Sequence, residues 1–177
     1  KRTRFGRAMK RVGPMPFGAA AACLALLVPP LAVPSRATEA STHRDWQVLR
    51  TADDTCLVTQ TVLGRRTGAR LLSVFLAPAG PDAVSLAFQV PNGVSLPDGI
   101  AFRHAAADRT GIGLEWQQCD AERCMAAGQI SVTEFGRLLA GREITVGYRP
   151  LPESRLLNVP LSLLGLTAAW KAAAACR

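Results

Sequence analysis

Two cysteines five positions apart, Cys119 and Cys124 in EWQQCDAERCMAAG, are the side chains of this 177-residue sequence best suited to chemistry. Thiolates at that spacing can form half of a zinc site, a redox couple, or a disulfide that fixes a turn. A structural zinc ion takes four cysteine or histidine ligands, yet the only histidines are His43 and His104, neither within ten residues of the pair. A redox couple ordinarily has the tighter C-x-x-C spacing inside a thioredoxin-like βαβ unit, and this sequence shows neither. A disulfide needs only an oxidising compartment.

The first residues point to such a compartment. KRTRFGRAMKRVGPMP is basic and free of acids, FGAAAACLALLVPPLAV over residues 17–33 is uncharged and apolar, and PSRA follows. Basic, apolar and small-residue stretches in that order predict a secretory signal peptide, with Ser35 and Ala37 at the small positions and cleavage between Ala37 and Thr38. Met9 is an alternative start, because the residues before it add only charge. Prolines 29, 30 and 34 break the apolar stretch too soon for a retained span of roughly 30 Å of hydrocarbon. Residues 24–28 carry the apolar core past Cys23, which argues against a lipid-bearing cysteine.

Cleavage changes the charge balance. Residues 1–37 hold seven of the 21 basic residues and no acid, so 14 basic and 13 acidic residues remain, a formal charge of +1 in place of +8. A nucleic-acid partner is therefore not expected, since it would need a basic patch on the folded domain. Arg65, Arg66 and Arg70 in GRRTGAR read as a solvated turn. The expected layout is a signal peptide at 1–37, a flexible linker at 38–44 (TEASTHR) and one β-rich domain at 45–177, a size that suits a single core. Four cysteines then remain. Cys119 and Cys124 are assigned to a local bridge worth about 2 kcal/mol, and Cys56 and Cys176 pair by subtraction in a bridge worth on the order of 4 to 5 kcal/mol. A free Cys176 is the alternative.

Period-two alternation dominates the remaining chain. In AVSLAFQV, Val84, Leu86, Phe88 and Val90 share one face; GIGLEWQQ groups Ile112, Leu114 and Trp116; EITVGYR groups Ile144, Val146 and Tyr148. Such runs mark half-buried antiparallel strands. Further strands are expected at 46–50, 55–63, 71–77, 100–104, 125–132 and 156–163, the last a buried strand and turn. PAGPD, PNG at 91–93, PDG at 97–99 and DRTG separate them as turns. SVTEFGRLLAG has Ser131 and Glu134 at capping-box spacing and should be helical up to Gly141. LTAAWKAAAAC, from Leu166, should be a second helix with Trp170 as its core contact. Together these predict a mainly β fold: an antiparallel β-sandwich or barrel-like single domain with one or two short helices.

Catalytic constellations are weak. His104 with Asp108 and Ser73 or Ser85 could be imagined as a triad, but no nucleophile-elbow motif accompanies them. Asp53 and Asp54 sit in a turn, and Asp120 with Glu122 reads as solvated charge within the disulfide loop. No glycine-rich phosphate loop and no metal-ligand cluster is found, so no cofactor and no metal are expected.

Several segments together carry a likeness: Trp46, CLVTQTV at 56–62, PNGVSLPDGI at 91–100, CDAERCMA, LLAGREITV and VPLSLLGLTAAW. Over roughly residues 45–172 the chain resembles the invasion associated locus B family of exported bacterial proteins. The most specific elements are P-x-G-V-x-L-x-x-G, the C-x4-C pair, and P-L-S-L-x-G-x-T-A-A. None is a catalytic signature. Family members carry another cysteine shortly after the tryptophan, where this chain has Val48, Leu49 and Arg50, and Cys176 becomes the candidate substitute. The resemblance implies a small β-rich periplasmic, secreted or outer-membrane-associated protein of a Gram-negative-type bacterium, in a family with some members linked to host-cell invasion. The expected function is non-enzymatic binding of a protein or envelope component, with no transmembrane span in the mature chain. The alternatives are an envelope hydrolase using His104 and a chaperone-like structural protein whose strand edge pairs with a client.

Overall fold

The alternation that turns one side of each strand towards a core builds two antiparallel sheets in the computed structural model, which describes residues 40–104 and 110–176. The strands are β1 (Ala40–His43), β2 (Trp46–Arg50), β3 (Cys56–Leu63), β4 (Arg70–Pro78), β5 (Ala83–Pro91), β6 (Ile100–Arg103), β7 (Ile112–Leu114), β8 (Trp116–Cys119), β9 (Arg123–Ser131), β10 (Glu143–Tyr148) and β11 (Leu157–Ser162). Two helices, α1 (Val132–Ala140) and α2 (Leu166–Ala174), complete the fold. The larger sheet runs β1-β2-β3-β4-β5-β9-β8 and the smaller β11-β10-β6-β7. This is the expected mainly β, sandwich-like single domain.

One apolar core lies between the layers. Phe88 of the larger sheet meets Phe102 of the smaller edge-on, with centroids 6.1 Å apart, an arrangement that suits the ring quadrupoles. Two buried polar tips stitch the layers together. The Trp46 indole N–H donates to the Ser162 carbonyl at 3.1 Å, and the Tyr148 hydroxyl donates to the Leu71 carbonyl at 2.8 Å. Four strands cannot cover seven, and α2 lies against β1, β2 and β3 to close the remainder. Its Leu166, Ala169 and Ala173 are buried, while Trp170 rests on Phe135 of α1 at 4.5 Å.

Both disulfides form. Cys56 and Cys176 join β3 to the end of α2 across 120 residues, with Cα atoms 6.2 Å apart; Cys119 and Cys124 close the β8–β9 hairpin at 4.0 Å. The start of the helix also meets the turn between β1 and β2. Gly165, at φ +97°, precedes α2, and a Cβ there would collide with the His43 carbonyl. Only glycine combines that φ with that closeness.

The structure departs from the sequence reading in four places. Residues 40–43, expected within a flexible linker, form an edge strand on β2, because backbone pairing needs no apolar pattern. The alternating run at 111–118 is two strands, broken at Glu115 where the chain passes from the smaller sheet to the larger. Val132 begins α1 rather than ending a strand, because Ser131 caps the helix by accepting from the Glu134 N–H. Finally, β11 is a half-buried edge strand with Pro160 exposed, a position where proline's missing donor costs little.

Two predictions follow from the stitching. Cys56→Ala/Cys176→Ala should lose on the order of 4 to 5 kcal/mol and Cys119→Ala/Cys124→Ala about 2 kcal/mol in urea unfolding; the reverse order would contradict the role given to α2. Desolvation raises the Tyr148 pKa above its ordinary value of 10.0. The unfolded phenol therefore ionises first, and the stability from Tyr148 is present below pH 10 and lost as pH rises through the folded pKa. Tyr148→Phe should cost about 1 kcal/mol at pH 7 and flatten the alkaline fall of the melting temperature.

Candidate functional site

In the larger sheet, one side chain of each alternating pair enters the core, as with Val58, Val74, Phe88 and Ala126. Its neighbours line the opposite face, which no described element covers. Strand register arranges that face in rows. One row reads Gln47, Thr59, Phe75, Ala87, Ala127 across β2, β3, β4, β5 and β9. The next reads Thr61, Ser73, Gln89, Met125, Gln118 from β3 to β8, and Ala77, Ser85 and Gln129 flank them. None of these side chains is charged. The nearest charges stand at strand ends, with Arg70 opposite Leu63 and Arg123 opposite Pro91.

The face is also satisfied internally. Thr59 Oγ1 donates to the Val74 carbonyl at 2.8 Å, and the Thr61 and Ser73 hydroxyls bond each other at 2.9 Å. Thr59 and Ser73 are only 6% and 3% exposed although they lie on this side of the sheet. The centre of this surface is neutral and hydrogen-bonded, with charge at the strand ends. Its named side chains include no acid, base or thiol.

The residues singled out from the sequence are dispersed. His104, after β6, pairs with Glu134 in the first turn of α1, and Arg137 contacts the other carboxylate oxygen at 3.5 Å. Glu134 thus serves His104 as well as the capping motif, a contact across 30 residues that no local pattern announces. Ser73 and Ser85 lie on the outer face of the larger sheet, and Ser73 is bonded to Thr61, so neither serine joins His104. Asp108, Ala37 and Thr38 lie outside the described residues. Asp53 accepts from the Thr51 hydroxyl at 2.5 Å and Asp54 pairs with Arg50 at 3.5 Å, as turn residues.

Asp120 does more than carry solvated charge. Its carboxylate accepts from the backbone N–H groups of Glu122 and Arg123 at 2.8 and 2.9 Å, and these bonds hold its pKa below the usual carboxylate value. It shapes the turn that Cys119 and Cys124 close. Among the described residues no group of three or more His, Cys, Asp or Glu side chains converges as a metal site, and no helix is long and apolar enough to cross a membrane.

The sequence matches the family model described as Invasion associated locus B (IalB) protein over residues 46–174. The fold is similar to the crystal structure of invasion associated protein B from Bartonella henselae, with a TM-score of 0.68 at 15% identity over 78% of this chain and 97% of that one. No curated protein matches the sequence. With the tryptophan, the P-x-G-V turn region, the C-x4-C hairpin and the terminal helix all inside the matched span, the chain belongs to the invasion associated locus B family.

Proposed function

We propose that this chain is an exported, non-enzymatic envelope protein that binds a protein or an envelope component through the uncharged face of its larger sheet. The observation that carries this reading is the pair of neutral rows across that face. A surface meant only for solvent carries charges of both signs, and interface centres are depleted in them.

Export is supported by the leader pattern at 1–37 and by two disulfides, which persist in oxidising compartments such as the periplasm. Host-cell invasion, for which the family is named, is one setting in which such binding would operate.

The test is affinity capture from a periplasmic extract with the disulfide-bonded protein and with Ala87→Lys, which sets a charge amid Phe75, Ala127 and Gln89. We expect the variant to melt within a few degrees of wild type and to lose its captured partner by at least about tenfold, because a buried unpaired charge costs several kcal/mol. Arg66→Glu, in the loop between β3 and β4, should retain the partner. Equal capture by Ala87→Lys, or hydrolysis of an envelope substrate that depends on His104, would overturn the proposal.

A further inference from the structure

β6 and β7 pair as far as Ile100 opposite Leu114, and beyond that point the two chains diverge. The divergence is written in the sequence LPDG. Pro97 has no N–H with which to extend a ladder, and Gly99, at φ +62°, turns the backbone away while lying too close to the Leu114 carbonyl for a free Cβ. The parting leaves a groove of about 700 Å³ between the turn at 96–99 and the run from Leu114 to Cys119.

Three features of this groove converge. β8 is the last strand of the larger sheet, so among the described residues its second edge has no partner strand. The half-exposed Trp116 lines the wall, and its indole N–H is closed off from solvent with no hydrogen-bond acceptor. Left unpaired, that donor carries a penalty, and a turn of the indole ring towards the groove would be needed to present it to an arriving carbonyl. Both charged side chains that line the groove, Asp98 and Glu115, are carboxylates; Asp98 already pairs with Arg149 at 2.8 Å, so the acidity offered to a ligand rests on Glu115. Leu96 and Leu114 supply apolar contact, and the Cys119–Cys124 hairpin closes one end.

We propose that this groove docks an extended, basic peptide segment of another protein, which adds a strand to the free edge of β8. Strand addition uses the backbone ladder for affinity and alternate side chains for choice. The four residues of β8 span about 13 Å, enough for a short ladder with one lysine or arginine directed at Glu115. The inference deepens the binding reading above and rests on it only in requiring a protein partner; the surface is a different one.

The test is an NMR titration of the disulfide-bonded protein with an acetylated, amidated octapeptide of alternating lysine and valine. Amide signals of residues 115–119 and the Trp116 indole signal should move. N-methylation of the valines, which removes ladder donors, should weaken binding at least about tenfold, and Glu115→Lys or Trp116→Phe about fivefold. Ala87→Lys should bind the octapeptide like wild type even where it loses capture on the sheet face, so failure of either reading is seen separately. The proposal is overturned by no movement up to millimolar peptide, by undiminished binding of the N-methylated or a glutamate–valine octapeptide, or by movement confined to the rows around Thr59 and Ala87.

Discussion

A sheet of seven strands has to bury one whole face, and four strands cannot do it. The rest of the structure answers that inequality. The smaller sheet covers the middle and the β8 side, where Phe88 meets Phe102, and α2 covers the side of β1 to β3. An alanine-rich helix suits this place because Ala169 and Ala173 let its backbone approach the strands closely, although a short isolated helix is marginal in water. The bridge from Cys176 to Cys56 supplies what its own propensity does not. It anchors the cover to the sheet that needs covering.

Among the described residues, the same inequality leaves one broad face of the larger sheet without a layer over it. Evolution had two routes there: scatter charges across the face to keep it solvated, or keep it neutral for another molecule. This face is uncharged, the feature on which the proposed binding role rests. Its arginines and acids stand in turns and at strand ends, as with Arg50 and Asp54 or Arg123 and Asp120, while threonine, serine, alanine and glutamine fill the centre. The hydroxyls there already bond within the sheet, so a partner would displace water from groups that lose little by it.

Much of this was legible before any coordinates. Alternation located most of the strands, Ser131 and Glu134 marked the start of α1, and counting cysteines after a predicted cleavage paired all four that remain. What was illegible depends on neighbours. The outward residues of each strand could be listed, but a neutral face exists only because β9 inserts between β5 and β8, which no strand's own pattern states. Alternation runs unbroken through Glu115, so the passage between sheets left no trace. The strand at Ala40–His43 has no apolar alternation and was hidden for that reason. His104 and Glu134 meet only because β6 and α1 are packed elements.

Gly165 ties the two ends of the domain into one folding event. The first turn, at His43 and Arg44, lies where any larger residue at 165 would stand, Asp45 accepts from Ser162 at 2.5 Å, and the Asp45 N–H reaches the Leu164 carbonyl at 3.4 Å. The opening strands therefore have no finished surface to settle on until the last dozen residues arrive. A chain threaded from its amino end must wait, with the inner sides of β2 and β3 bare, and then close a loop from His43 to Gly165. Such a topology favours completion in one step, with the segment leading into α2 acting as the latch.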